Sequence, residues 1–217
     1  MLRNITSIAH NHQTDIPLFL LNLKGVDPSK VGDVFVGNVI QSSLDACYLA
    51  RHVGLRAGVP IATPAMTINR LCGSGFETVI LGAESIILGN SKIALAGGTE
   101  NMSAAPMVID GVTARWTPPA LGVGLQAKDA LWAGLTDSLQ KCPMGITAEK
   151  LGNQYGITRE DCDNYALRSQ NLFEEASNKG VFKGEIAPME VRELCKRGLC
   201  CMFKGAIPLF CCCHIPH

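Results

Sequence analysis

The feature that most constrains the fold is a segment of about thirty residues, strand–turn–helix–strand, with a cysteine in its turn. Ala65-Met66-Thr67-Ile68 has the pattern of a short strand, and Leu71-Cys72-Gly73-Ser74-Gly75 follows as a sharp turn. Apolar residues then recur with helical period until Gly89-Asn90 stops the helix: Phe76, Val79, Ile80, Ala83, Ile86 and Ile87. The nearly all-apolar stretch from Lys92 to Ala96 predicts a parallel strand covered on both faces. The segment therefore predicts a βαβ unit in an α/β fold.

Further elements of the same kind are predicted on both sides of this unit. A strand is expected over Asp33–Gly37, and a helix over Leu44–Ala57. Thr158-Arg159-Glu160-Asp161 resembles a capping box and predicts the start of a long helix that ends at Asn178-Lys179-Gly180. Residues 107–146 are rich in Gly, Pro and Thr and have weak periodicity. A long excursion of this kind in an enzyme usually carries function.

Charge and hydropathy exclude several classes of protein. Nineteen basic residues balance nineteen acidic ones, so no electrostatic footprint for nucleic acid or an anionic membrane is expected. No segment reaches the ~20 apolar residues that span a bilayer. The apolar run Ile16–Leu21 lacks the flanks of a signal peptide, and the first twelve residues, with one Arg and no acid, contain no clear targeting segment.

The ten cysteines fall into two groups. Four are scattered through the main body, which indicates a protein of a reducing compartment: Cys47, Cys72, Cys142 and Cys162. The other six crowd the last 23 residues, where the chain has neither periodicity nor caps. A zinc site there is disfavoured because paired Cys-x-x-Cys spacing is lacking, so no metal is expected. The tail from Leu194 is predicted to pack on nothing specific, and we interpret it as the product of a truncated gene model or splice form.

Cys72 is the candidate nucleophile. It lies where a strand feeds a helix, and the N–H groups and positive dipole end of the helix favour a thiolate. The Cys72 backbone N–H can also point at a developing oxyanion. The alternative is a buried structural cysteine at a glycine turn, which spacing alone favours. No neighbouring histidine can be named as its partner, because His52 is better explained as a solvated or core residue of the helix from Leu44.

A resemblance to a known family favours the nucleophilic interpretation of Cys72 over the structural one. The segment Asn69-Arg70-Leu71-Cys72-Gly73-Ser74-Gly75-Phe76-Glu77 resembles the active-site cysteine segment of thiolases. Three other segments match family landmarks in the same order: Gly37–Gln41, Gly97–Ser103 and Met144–Glu149. Together they cover about residues 24–192. Pro143-Met144 and Tyr48–Val53 are most similar to the mitochondrial members that act on 3-ketoacyl-CoA.

The resemblance implies a thiolase-like fold, of which this chain holds the first half of a duplicated βαβ core and the start of the inserted loop domain. Residues 1–23 form a poorly matching segment, and residues 24–193 form the N-terminal domain, with the loop-domain portion at about 107–193. Residues 194–217 form an aberrant Cys-rich tail.

The activity implied by the resemblance is acyl transfer, in which 3-ketoacyl-CoA and CoA give acetyl-CoA and a shortened acyl-CoA. Cys72 then carries the acyl group, while Leu135 and Met144 match positions that line the substrate pocket, a plain core role being equally open for both. Glu77 and Glu100 are expected to be helix-surface and turn residues. Coenzyme A is a substrate and no cofactor is needed; the family also implies a homodimer or homotetramer and a mitochondrial location.

Several family motifs are absent from this sequence. No histidine stands in Gly-His-Pro, no cysteine begins Cys-x-Gly, and Asn-Glu-Ala and the opening Arg-Thr-Pro are missing. Two functions therefore stay open: an incomplete copy of a thiolase, inactive as an isolated chain, or a non-enzymatic thiolase-like fragment that pairs with full-length subunits. A condensing ketoacyl synthase is a weaker third option, because that family shares the fold but has different residues around its cysteine.

Overall fold

The computed structural model of the chain describes residues 25–117 and 119–186, together with the backbone of residues 211–213. The described residues divide into two compact units, of which one comprises residues 25–104, 185–186 and 211–213 and the other lies within residues 105–184. Among the described residues, no helix is long and apolar enough to cross a membrane.

The first unit contains the predicted βαβ segment. Its elements up to residue 104 are β1 (Asp33–Gly37), α1 (Leu49–Arg56), β2 (Ala65–Ile68), α2 (Ser74–Ile87) and β3 (Ala94–Gly98), with 3-10 turns at Pro28–Lys30, Ala46–Tyr48 and Met102–Ala104. The bounds of β1 and β2 are those predicted. The helix predicted from Leu44 begins at Leu49, because a 3-10 turn precedes it, and β3 lies two residues later than predicted.

The second unit is built from short elements and two longer helices. They are β4 (Met107–Ile109), α3 (Gly111–Arg115), β5 (Ala127–Asp129), α4 (Ala130–Leu135), β6 (Thr136–Asp137), β7 (Cys142–Pro143), α5 (Met144–Tyr155) and α6 (Arg159–Asn178), followed by a 3-10 turn at Val181–Gly184. The predicted capping box is confirmed, because Thr158 and Asp161 bond reciprocally at the start of α6. These hydrogen bonds from Thr158 lower the pKa of the exposed Asp161 carboxyl below its usual value.

The sheet of the first unit has the strand order β2-β1-β3-β8, where β8 is the segment Cys211–Cys213. β1 runs parallel to both β2 and β3, which confirms the βαβ unit, and β8 pairs antiparallel with β3. The prediction that the tail packs on nothing specific is therefore wrong for residues 211–213. Backbone pairing with an open strand edge needs no side-chain periodicity, so the sequence pattern does not reveal it. The rest of the predicted tail lies outside the described residues.

Successive residues of β1 face opposite sides of the sheet, and each side has its own helix. Val34 and Val36 belong to the core on the α1 side with Leu95, Leu49 and Val53. On the other side a smaller core contains Phe35, Ile68 and Ala94, with Leu81 and Ile86 of α2 packed against it. The sheet is thus covered on both faces, as a parallel sheet requires.

The fully buried side of α2 is small and polar, and of the apolar residues that predicted the helix, Ile86 packs against the core while most of the others are exposed. Its buried positions are Ser74, Thr78, Gly82 and Ser85. A Cβ on Gly82 would lie 3.3 Å from the Ala94 Cβ, so this side chain-free position lets the helix approach β3 closely. The apolar positions Phe76, Val79, Ile80 and Ile87 are exposed. Periodicity therefore predicts the helix correctly but does not tell which side is buried.

Candidate functional site

Cys72 lies in the turn that joins β2 to α2. The first turn of α2 rests against the carboxyl end of β1, where a Cβ on Gly37 would lie only 2.8 Å from the Ser74 carbonyl carbon. In α/β folds, ligands bind beyond the carboxyl ends of parallel strands. The position of Cys72 in this topology is therefore one where a substrate can be reached.

The turn before α2 has a tight backbone. Leu71 has a φ of 51°, in the left-handed region that non-glycine residues rarely adopt. Its N–H donates to the Asn69 Oδ1 at 3.0 Å, and the Gly73 N–H donates to the Arg70 carbonyl at 3.1 Å. Backbone conformations of this kind cluster at functional sites, where the surrounding structure maintains them.

Ser74 maintains this turn from the inside. Its hydroxyl accepts from the Arg70 N–H at 2.9 Å and donates to the Leu71 carbonyl at 2.6 Å. The Ser74 N–H donates to the same Leu71 carbonyl at 3.0 Å. Ser74 is only 5% exposed, so its hydroxyl exchanges these backbone partners for water only if the turn opens.

The Cys72 thiol is free and exposed, so the buried structural cysteine considered above does not describe it. Gly73 occupies the N-cap of α2 and makes no side-chain capping hydrogen bond. The positive end of the helix dipole is thus adjacent to Cys72 without a capping side chain, an arrangement that recurs at nucleophilic cysteines. The turn can therefore present a nucleophile to an acyl carbonyl carbon.

Both nearby carboxylates are held in structural contacts, in agreement with their prediction as helix-surface and turn residues. Glu77 on α2 forms an ion pair with Arg70. Glu100 accepts hydrogen bonds from the Val39 N–H at 2.9 Å, the Ile40 N–H at 3.1 Å and the Asn38 Nδ2 at 3.1 Å. Glu100 thereby connects the loop after β3 to the loop after β1. Both of its carboxylate oxygens accept hydrogen bonds in this connection, which is a structural role.

His52 makes its contacts on α1 and in the turn before it. Its Nδ1 lies 3.6 Å from the Asp45 Oδ2, and its ring stacks on Tyr48 with 5.8 Å between the ring centroids. These contacts explain His52 as a half-exposed structural residue. Among the residues that the structure describes, no group of three or more His, Cys, Asp or Glu side chains could hold a metal ion.

The other two predicted site residues belong to the second unit. Leu135 ends α4 and is 42% exposed, while Met144 begins α5 and is 55% exposed. Exposure of this size argues against the core role that was the alternative for each. Their place in a substrate pocket stays a prediction.

Sequence reasoning assigned no role to Ser74, although the residue stands within the turn. The available signal was its position: a serine at a helix start on the side that carries small residues at helical spacing, namely Ser74, Thr78, Gly82 and Ser85. Such a stripe indicates close helix–sheet packing, in which a buried hydroxyl must find backbone partners.

Residues 15–201 match the family described as thiolase, N-terminal domain. The chain belongs to the thiolase family. It is 50% identical over 167 residues to the mouse mitochondrial 3-ketoacyl-CoA thiolase, an alignment that covers 77% of this chain and 41% of the mouse protein. A probable acetyl-CoA acyltransferase of Staphylococcus aureus is 38% identical over the same length, which is 42% of that protein.

Solved thiolase structures have the same fold. The human mitochondrial 3-ketoacyl-CoA thiolase in complex with CoA superposes with a TM-score of 0.76 at 46% identity, over 82% of this chain and 44% of the human one. The Bacillus anthracis acetyl-CoA acetyltransferase gives a TM-score of 0.73 at 36% identity, over 85% and 46% of the two chains. The thiolase described here thus spans less than half the length of the relatives it matches.

Proposed function

We propose that this chain performs the first half of thiolase chemistry, in which Cys72 takes an acyl group from an acyl-CoA thioester. The observation that carries the proposal is the exposed, free Cys72 at the uncapped start of α2, within the segment that resembles the family's active-site cysteine. A thiolate suits this exchange because the thioester bond that breaks and the one that forms are alike.

The complete reaction of the family supplies the substrate class. It converts 3-ketoacyl-CoA and CoA to acetyl-CoA and a shortened acyl-CoA, so the expected small-molecule partners are acyl-CoA and CoA. Support comes from relatives named as 3-ketoacyl-CoA thiolases and from a solved relative in complex with CoA. Leu135 and Met144 are proposed to line the acyl pocket, and their exposed side chains are free to contact a ligand.

The proposed compartment is the mitochondrion, and the proposed assembly is a homodimer or homotetramer. The compartment follows from relatives that are named mitochondrial thiolases and share about half of the aligned residues. The assembly follows from the family resemblance alone.

A second candidate function is that of a non-enzymatic partner of full-length thiolase subunits. The motifs that are absent from this sequence favour it, because the activating histidine and the second cysteine would then come only from another chain. In this case Cys72 would remain part of the fold without passing on an acyl group.

Incubation with acetyl-CoA is expected to add one acetyl group to the intact protein, at Cys72. The bond is a thioester, so hydroxylamine at neutral pH should remove it. Intact-mass spectrometry followed by peptide mapping measures both steps, and Cys72→Ala is the matched variant that should remain unmodified. Acetylation spread over Cys47 and Cys162, or persisting in the Cys72→Ala protein, would exclude Cys72 as the acyl carrier.

Alkylation provides an independent measure of the same thiol. With less than one equivalent of iodoacetamide, Cys72 is expected to react before Cys47 and Cys162, which are also exposed and also lie near helix starts. The reason is that only Cys72 lies in a strand-to-helix turn that contains glycines. The three thiols share one protein and one reagent, so they serve as internal controls for accessibility. Preferential labelling of Cys47, Cys142 or Cys162 in peptide maps would contradict the assignment of Cys72 as the most reactive thiol.

A further inference from the structure

In the turn before α2, two hydrogen bonds from Ser74 set the orientation of the peptide group between Leu71 and Cys72. The carbonyl of Leu71 accepts both the Ser74 hydroxyl at 2.6 Å and the Ser74 N–H at 3.0 Å. That carbonyl belongs to the same planar unit as the Cys72 N–H. Since a trans peptide directs its C=O and N–H in opposite directions, pulling the Leu71 oxygen toward α2 turns the Cys72 N–H away from the helix.

The Ser74 hydroxyl makes a second hydrogen bond in the same turn. It accepts from the Arg70 N–H at 2.9 Å, one residue before the left-handed Leu71. A single buried oxygen therefore holds the chain on both sides of the Leu71 conformation. Without it, the Arg70 N–H and the Leu71 carbonyl each lose one partner, and the left-handed backbone at Leu71 loses contacts that maintain it.

We infer that Ser74 is a positioning residue for acyl transfer: its hydroxyl orients the Leu71–Cys72 peptide so that the Cys72 N–H is directed at the oxyanion. The inference rests on the proposed function of Cys72 and extends it to a side chain that never touches the substrate. Donors placed in advance where negative charge develops are effective because they need no reorganisation during the reaction.

The step on which Ser74 acts is the attack of the thiolate. The Cys72 Sγ forms a bond to the thioester carbonyl carbon, and the carbonyl oxygen becomes the oxyanion that the Cys72 N–H stabilises. The oxyanion collapses, the bond from carbon to the CoA sulfur breaks, and CoA leaves as a thiolate. The proton that Cys72 gave up to solvent is balanced by the proton that CoA takes from solvent.

The test compares two reactions of the same thiol in Ser74→Ala. Acetylation by acetyl-CoA passes through an oxyanion, whereas iodoacetamide alkylates by displacement of iodide and forms none. Acetylation is expected to slow about 10- to 100-fold, below the ~10²–10³-fold cost of deleting a donor, because the N–H is misdirected and not removed. The alkylation rate is expected to change by less than about threefold, since this reaction needs no oxyanion donor and the thiol remains exposed at the start of α2.

A matched control separates positioning from general loss of structure. Ser85 is also a buried serine on the same side of α2, at 6% exposure, and its hydroxyl bonds to the Asp33 carboxylate. Ser85→Ala should lower stability in unfolding measurements while leaving the ratio of acetylation to alkylation at the wild-type value. An equal drop of this ratio in Ser85→Ala and Ser74→Ala would overturn the inference.

A second pair of variants covers the case in which Ser74→Ala does not fold. Ser74→Thr and Ser74→Val have nearly the same shape, so any crowding against β1 is common to both, and they differ in the hydroxyl. The threonine variant is expected to acetylate at least about tenfold faster than the valine variant. Equal rates in this pair, or an unchanged ratio in Ser74→Ala, would overturn the inference and leave the role of Cys72 intact. Wild-type protein that is not acetylated at all would overturn both.

Discussion

The purified chain is expected not to cleave acetoacetyl-CoA in the presence of CoA at a rate comparable with that of a complete thiolase. None of its five histidines stands in Gly-His-Pro, and no cysteine begins Cys-x-Gly. A positioned acid or base is typically worth ~10²–10⁴-fold in rate, and one oxyanion donor ~10²–10³-fold. Such losses do not simply add, but the expected deficit is still several orders of magnitude.

The deficit should fall on the second half of the reaction. Attack by the proposed nucleophile Cys72 lacks the family's activating histidine but retains the turn and the helix end, so we expect it to be slow and not abolished. Passing the acyl group on to CoA requires an activated CoA thiol, and the family motifs that would supply its base are absent from this sequence. Glu100 is already occupied by hydrogen bonds from the loop after β1. A single stoichiometric acetylation without turnover is therefore the expected behaviour.

The assay follows the loss of absorbance of acetoacetyl-CoA, with a full-length thiolase as the positive control and Cys72→Ala as the matched negative control. A trace of co-purified host thiolase would give turnover in both the wild-type and the Cys72→Ala preparations, which distinguishes it from activity of this chain. Turnover that matches the complete enzyme and disappears in Cys72→Ala would show that the chemistry requires fewer residues than the family motifs imply.

The βαβ unit could be predicted from sequence because its periods are local. β1 and β2 have the predicted bounds, and α2 ends near the predicted glycine stop. The buried side of α2 could not be predicted, because both of its sides are free of charge over most of their length and only packing decides between them. The side with Gly82 faces the sheet, and the missing side chain lets α2 approach Ala94 closely.

Some features of the candidate site could likewise be predicted from sequence, and others could not. A cysteine in a glycine-rich strand-to-helix turn was visible in sequence as a candidate nucleophile, since helix ends and turns leave local signals. The left-handed Leu71 and the two hydrogen bonds of the Ser74 hydroxyl were not predicted, because a serine at a helix start has several possible backbone partners. β8 was missed because backbone pairing with the edge of β3 needs no side-chain periodicity in the paired segment.

Gly37→Ala is expected to destabilise the first unit and to displace the turn that carries Cys72. Gly37 is the last residue of β1, and an added Cβ would lie 2.8 Å from the Ser74 carbonyl carbon and 2.9 Å from its oxygen. These are backbone atoms at the start of α2 and cannot rotate away as a side chain can. Overpacking of this kind costs ~1–3 kcal/mol in the free energy of unfolding. If α2 moves away from β1 to remove this overlap, Ser74 with its hydrogen bonds and Cys72 will move as well.

Chemical unfolding monitored by circular dichroism measures the stability change, and Gly75→Ala is the control. Gly75 is one residue from Ser74 and lies within α2, but a Cβ there would meet nothing within 4 Å. Alanine in a helix is favoured over glycine by ~0.5–1 kcal/mol, so Gly75→Ala should be neutral or stabilising. The same Gly37→Ala protein should acetylate Cys72 more slowly at temperatures where it remains folded. If Gly37→Ala unfolds at the wild-type denaturant concentration and acetylates at the wild-type rate, then contact between β1 and the start of α2 does not hold the nucleophile in place.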